Sequence, residues 1–106
     1  MKTLYAALVA GAFAAAFVAP ASAEDQLPLA QKSGCTACHS VDKKIVGPAW
    51  KDVAAKYRGD KNAKANLVKK VEQGGSGVWG EIPMPPNQTV SDADVKKLVD
   101  WILTLK

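Results

Sequence analysis

Ligand-forming side chains are scarce in this 106-residue sequence, which holds one histidine, two cysteines and two methionines. A closed structural zinc site takes four ligands, as a rule from two separated pairs, and no second pair exists here. No stretch alternates apolar and polar residues as a strand does, which argues against a thioredoxin-like cysteine pair in its βαβ setting. Charge of one sign is also in short supply. Fourteen Lys+Arg stand against 10 Asp+Glu, spread along the chain, and so mild an excess does not mark a nucleic-acid binder, whose basic residues cluster on one face. Internal repeats, low-complexity tracts and signs of a second domain are missing as well.

The one long apolar run, residues 4–18, falls short of the roughly 20 residues of a spanning helix. It follows Lys2 and precedes the small-x-small exit Ala21-Ser22-Ala23, after which Glu24 begins the polar chain. That three-part layout is a secretory signal peptide. Residues 1–23 are expected to be cleaved, with no stable membrane insertion afterwards, and the domain is expected to work in the periplasm. Removing 23 of 106 residues leaves 83, and loss of Lys2 takes the formal charge from +4 to +3. A domain of that size is marginal on apolar burial alone and commonly relies on a staple.

Both cysteines and the histidine fall within Cys35-Thr36-Ala37-Cys38-His39. A Cys35–Cys38 disulfide would close a tiny loop and restrict the unfolded chain only slightly, so it is a poor staple. C-x-x-C-H is also the attachment motif of haem c, in which two thiols add to the vinyl groups and the adjacent imidazole lies under the iron. One helical turn between the thiols suits neighbouring edges of a porphyrin, with His39 aimed at its centre. One covalently attached haem c, with its iron, is therefore the expected cofactor and the expected staple.

The rest of the chain reads as helix, about four in all, with no strand. A first helix is expected over 27–34, ended by Gly34. A second is expected over 48–57, with Pro48 at its first position, Gly59 beyond it, and Trp50, Val53, Ala54 and Tyr57 facing inward. A third, over 62–72, has Asn62 as its cap, buries Leu67, Val68 and Val71, and stops at Gly74-Gly75. Ser91 with Asp94 forms an approximate capping box for a last helix facing Val95, Leu98, Val99, Ile102 and Leu105 inward.

Between the last two helices the segment 74–89 holds four glycines and three prolines, which forbid continuous helix or strand. At its centre is Met84, the methionine that remains once Met1 is set aside. A thioether is a soft neutral iron ligand, and haem held by His on one side and Met on the other is the arrangement of electron-carrying cytochromes, Met raising the potential. Pro83, Pro85 and Pro86 restrict the backbone around it.

Taken together, Cys35-Thr36-Ala37-Cys38-His39, Val46-Gly47-Pro48-Ala49, Gly77-Val78-Trp79-Gly80 and Ile82-Pro83-Met84-Pro85-Pro86-Asn87 resemble the small bacterial class I cytochromes c of the c551/c552 type. The resemblance runs through the terminal helix with Trp101. It implies an all-α class I cytochrome c fold, about four helices wrapped around one covalently bound haem, with the terminal helices crossing. It assigns Pro48 a carbonyl that accepts the ring N–H of His39, Trp79 an indole N–H for a haem propionate, and Asn87 a hydrogen bond near the Met84 sulfur. Lys70 stands where a relative has an arginine near the propionates; lysine lacks the bidentate fork, so such a pairing would be looser.

With both axial positions filled by His39 and Met84, the expected function is that of a soluble monomeric carrier of single electrons, not an enzyme. Thr36, Ala37, Ile45, Val46, Ile82 and Pro83 are expected to surround the exposed haem edge, with Lys43 and Lys44 on the rim. The resemblance implies a quinol-oxidising cytochrome complex as donor and a terminal oxidase or nitrite reductase as acceptor. Two competing readings are a five-coordinate haem gas sensor or peroxidase-like protein, in which Met84 is not a ligand, and a colourless zinc module built on Cys35, Cys38, His39 and a carboxylate. The helical cytochromes of the first kind carry C-x-x-C-H near the C-terminus, whereas here the motif opens the domain.

Overall fold

The structure, a computed structural model, describes residues 25–106; the expected leader at 1–23 and its cleavage site lie outside the described residues. Four helices follow one another, α1 (Leu27–Lys32), α2 (Trp50–Lys56), α3 (Ala63–Gln73) and α4 (Asp92–Thr104), with a short 3₁₀ turn at Cys35–Ala37. No strand occurs among the described residues, where only two isolated bridges pair backbone segments. The all-α architecture agrees with the sequence reading, while several helix ends differ from it for identifiable reasons.

Helix α1 starts where Asp25 Oδ1 accepts the Leu27 N–H at 2.9 Å, with Pro28 in the first turn, whose missing N–H costs nothing there. It ends at Lys32 rather than at Gly34: Ser33 N–H still makes the helical bond to the Leu29 carbonyl at 2.9 Å, while Gly34 N–H tightens onto the Gln31 carbonyl at 3.1 Å. Gly34 then takes φ 79°, a left-handed turn that glycine adopts without steric cost.

Pro48 is not the first residue of α2. The helix begins at Trp50, and Ala49 before it is extended at ψ 138°. The α2 N-terminal donors are satisfied by the preceding loop, with Trp50 N–H on the Ser40 carbonyl at 2.9 Å and Lys51 N–H on the Val41 carbonyl at 3.1 Å. That arrangement replaces a side-chain cap and requires an extended chain through Pro48 and Ala49. At the other end Tyr57 is the half-buried C-cap, and Gly59 turns the chain at φ 82°.

Asn62 precedes α3 as expected but does not cap it with its side chain. Its own backbone is helical, at φ −97° and ψ −1°, whereas a capping residue is normally extended. The local anchor is Asp60, whose Oδ1 accepts the Asn62 N–H at 2.8 Å. Helix α3 runs one residue past the expected end and closes on Gly74, with φ 74° and its N–H on the Lys70 carbonyl.

Helix α4 is capped on one side of the expected box. Ser91 Oγ accepts the Asp94 N–H at 3.2 Å, while the Asp94 carboxylate lies 3.9 Å from Lys97 Nζ. Asp92 and Asp94 in the first turn also suit the positive end of the helix dipole. Val95, Leu98 and Val99 are buried as the stripe predicted, Ile102 and Leu105 half so. Trp101 is buried too, off that stripe, because α4 packs against α1, α2 and α3 and so covers a wider arc.

Two buried groups meet on α4. One joins Ala30, Trp50, Val53, Leu98 and Trp101; the other joins Val68, Val95 and Val99. Each fully buried Val or Leu contributes on the order of 1.5–3 kcal/mol relative to exposure. Ala30, fully buried, has no bulk to hold α1 away from α4, so the two terminal helices pack against each other.

Candidate functional site

A cavity of about 700 Å³ opens between α2, α4 and the loops on either side. Its wall is mostly apolar, with Val53, Leu67, Val71, Leu98 and Ile102 at the back. Among the described residues the large hydrophobic side chains left exposed are Ile45, Val46, Val78, Trp79 and Ile82, and every one of them lines this cavity. Wet apolar groups gathered on one concavity mark a bound apolar body.

The 3₁₀ turn brings Cys35 and Cys38 to the cavity wall as half-buried free thiols. Burial pushes the Cys35 thiol above its ordinary value; its own backbone bond opposes this, and the neighbouring Cys38 adds to it. The turn is closed by Cys38 N–H and His39 N–H on the Cys35 carbonyl, at 3.2 and 3.0 Å. The Cys38 carbonyl in turn accepts Val46 N–H at 3.2 Å and Gly47 N–H at 2.8 Å, so the loop 39–47 is folded back onto the motif.

His39 lies at the wall with Nδ1 2.8 Å from the Pro48 carbonyl oxygen. A carbonyl only accepts, so Nδ1 carries the proton and the Nε2 lone pair is free to bind a metal. The ring stacks on Trp50 with centroids 5.4 Å apart and planes 18° apart. Gly47 lies against it as well: a Cβ there would come within 2.5 Å of Cε1, 2.9 Å of Nδ1 and 3.0 Å of Nε2.

Met84, half-buried at the wall, is held by its backbone. Met84 N–H bonds to the Gly75 carbonyl at 2.8 Å and Gly75 N–H to the Met84 carbonyl at 3.0 Å, an antiparallel pair at the neck of the loop. Gly74 allows the close approach, since a Cβ there would be 2.5 Å from the Met84 carbonyl oxygen and 2.8 Å from the Pro86 nitrogen. Asn87 N–H reaches back to the Val71 carbonyl at 2.9 Å. The Asn87 side-chain oxygen accepts from Thr89 N–H at 3.1 Å, Thr89 Oγ1 at 3.2 Å and Val90 N–H at 3.3 Å. Its oxygen thus builds the turn into α4, and its amide nitrogen is not used in that turn.

Two cations stand near the other rim. Lys56 Nζ is 5.6 Å from the centre of the Trp79 ring, and Lys70 lines the cavity with its ammonium across Gly75, where a Cβ would be 2.5 Å away. Ile45, Val46 and Ile82 surround the mouth with Lys43 and Lys44 exposed beside them.

These residues fit a haem. An apolar cavity is there for the macrocycle, two thiols stand at its wall, an imidazole with a free Nε2 and a thioether share that wall, and Lys70 lines it as a counter-charge for acidic edge groups. Among the described residues no cluster of three or more His, Cys, Asp or Glu is placed to hold a bare metal ion. Sequence reasoning named Gly47 in the Val46–Ala49 run and Gly75 as a helix stop, but not the contacts either makes, nor the Trp50 stack. Only glycine's lack of a side chain, seen beside a proline or a second glycine, hinted at the two backbone approaches.

The profile of the family described as Cytochrome c matches residues 28–106. The chain is 64% identical over 94 residues to cytochrome c-551 of Allochromatium vinosum, covering 89% of this chain and 99% of that protein. To cytochrome c-552 of Nitrosomonas europaea it is 56% identical over 97 residues, covering 91% and 94%. The crystal structure of wild-type Nitrosomonas europaea cytochrome c552 superposes with a TM-score of 0.73 at 61% identity, covering 74% of this chain and 98% of that one.

Proposed function

The chain belongs to the cytochrome c family and is a monohaem electron carrier with one haem c bonded at the Cys35/Cys38 pair; from that premise we propose that His39 and Met84 hold the iron from its two sides. The carrier then passes single electrons between larger redox proteins in the periplasm, after removal of residues 1–23. The observation that supports this reading is that the cavity reached by both cysteines is also lined by His39 and Met84, the one histidine of the sequence and the one methionine beyond Met1.

When bound, haem c supplies the one-electron couple; the chain's residues determine its position and potential. Cys35 and Cys38 would hold the group covalently, with His39 next in the chain and at the same cavity wall to bind the iron. Pro48 keeps the proton on Nδ1, which leaves Nε2 for the iron and makes the imidazole a better donor. The Gly75 pair and the three prolines place the Met84 sulfur with little freedom left to lose, and the thioether raises the potential. Trp79 offers its indole N–H to a propionate, with Lys56 and Lys70 supplying charge. Asn87 Nδ2 is available to the sulfur once Oδ1 is committed to the turn.

With His39 and Met84 both committed to the iron, no site would be left for oxygen or a substrate, and the protein would act as a carrier and not as an enzyme. Partners touch the apolar mouth at Ile45, Val46 and Ile82 with its Lys43 and Lys44 rim, and charge there acts on encounter rate more than on final affinity. A quinol-oxidising cytochrome complex suits the donor side, and a terminal oxidase or nitrite reductase the acceptor side. No helix of the described residues is long and apolar enough to cross a membrane.

The visible spectrum of the matured protein tests the ligation. Low-spin bands on reduction, a sulfur-to-iron charge-transfer band on oxidation and indifference to carbon monoxide are expected. A carbon monoxide shift in the native protein would mean an open sixth position and a sensor-like or peroxidase-like site.

A further inference from the structure

The hydrogen bond from His39 Nδ1 to Pro48 fixes one atom of the imidazole and leaves the ring able to swing about the bond direction. What stands against that swing is Trp50. Its indole lies nearly parallel to the imidazole, with centroids 5.4 Å apart and planes 18° apart, an offset stack of the kind aromatic quadrupoles favour. The indole is itself unable to rotate. It is only 4% exposed, it packs edge-on against Trp101 at 5.4 Å and 71°, and its backbone N–H is bonded to the carbonyl of Ser40, the residue after His39. Three rings from the haem turn, α2 and α4 thus form one column, in which the end ring is the imidazole.

We propose that Trp50 is a positioning residue that sets the plane of the His39 imidazole, with Trp101 as its backing. The proposal rests on His39 being an axial ligand. Its content is a division of labour: Pro48 decides which nitrogen is protonated, and Trp50 decides how the ring is turned about its bond to the iron. A flat side chain at position 50 is required for this, whereas a flexible apolar one of similar bulk fills the space and leaves the plane unset.

In a low-spin ferric haem the imidazole plane, together with the set of the Met84 sulfur, directs the unpaired spin over the macrocycle, so the order and spread of the four haem methyl proton resonances respond when the plane changes. The experiment compares ferric holoprotein of the native chain with Trp50→Leu, Trp50→Phe and Val95→Ala. Trp50→Leu is expected to change the order or spread of the methyl resonances, and Trp50→Phe to keep the native pattern. Val95→Ala, which removes packing from the other buried group, is expected to lower thermal stability and keep the pattern as well. If Trp50→Leu yields no holoprotein, Trp50→Met is the flexible filler to use.

A native methyl pattern in the Leu or Met variant overturns the proposal, as does an equal change in Trp50→Phe or Val95→Ala. A high-spin native ferric protein would sink the His39/Met84 ligation itself, so the two failures are distinct.

Discussion

Replacing Gly47 by alanine should disturb the site more than its size suggests. The residue is absent from the positive-φ glycines, so the backbone accepts a Cβ, and the whole penalty is steric. That Cβ would sit 2.5 Å from His39 Cε1 where ordinary contact begins at 3.4 Å. The ring has nowhere simple to go, with Pro48 holding Nδ1 and Trp50 stacked on it. The loop is equally tied, by Gly47 N–H on the Cys38 carbonyl at 2.8 Å. Overpacking of this kind costs about 1–3 kcal/mol. Losing the Pro48 bond adds about 0.5–1.5 kcal/mol, while the stiffer unfolded chain returns about 0.4–1 kcal/mol. The net loss is about 0.5–4 kcal/mol; a loss of about 2 kcal/mol lowers Tm by roughly 8–16 °C in a domain this small. The assay is thermal unfolding of the matured protein followed in the haem bands, with the oxidised charge-transfer band recorded beforehand. Gly59→Ala is the control: it has φ 82° and open space around it, so it should lose about 1–2 kcal/mol to left-handed strain and leave the band intact. A Gly47→Ala protein melting within about 2 °C of native, with an unchanged band, would refute the steric reasoning.

Met84→Ala should open the sixth position, measured as carbon monoxide binding to the reduced protein and a fall in reduction potential; an unchanged potential would remove Met84 from the iron. Cys35→Ala combined with Cys38→Ala should give chain without covalent haem and without cooperative unfolding in circular dichroism, and a normally folded product would show that the haem is not the staple. At the α3–α4 contact, Glu72 is raised above its ordinary value by its hydrogen bond with Asp92, then by burial and the Asp92 charge, with Lys96 opposing. Asp92 is lowered by Lys96, whose Nζ is 2.8 Å away, and by Glu72. The raised Glu72 favours the fold at low pH and loses that contribution as pH climbs from its unfolded to its folded value; the lowered Asp92 loses its contribution as pH falls. Glu72→Gln should therefore gain on the native protein near neutrality relative to a pH below the ordinary glutamate range, read as urea midpoints, and a shift equal at both pH values would contradict this.

The chemistry of the site was legible because it is written in rare residues. One histidine beside two cysteines leaves little choice of cofactor. Helix identity was legible for the same kind of reason, since the apolar stripe of α4 and the glycines at 59 and 74 act locally. What escaped was tertiary in origin. Pro48 carries the usual sign of a helix start, yet the chain stays extended until Trp50, where the Ser40 and Val41 carbonyls take the first helical N–H groups. Asn62 is a good capping residue by type, but its own helical backbone leaves the anchoring to Asp60. Trp101 fell off a stripe drawn for a helix with one buried face, whereas α4 meets three helices. Stacking between His39 and Trp50 requires a fold that brings the turn after Cys38 over the first turn of α2, and periodicity carries no sign of that.

Helix α4 supplies Val95, Leu98, Val99 and Trp101, without which neither buried group closes. This has a consequence in time as well as in space. A chain that emerges N-terminus first, as in synthesis, presents Cys35, Cys38 and His39 early, while the side chains that will cover Trp50 and Val68 are still to come. Until the last 15 residues of the sequence have arrived, the three helices before them have nothing to pack on. Closure of both buried groups therefore waits on the most C-terminal helix, although the cysteines that bind the haem stand near the start of the described residues.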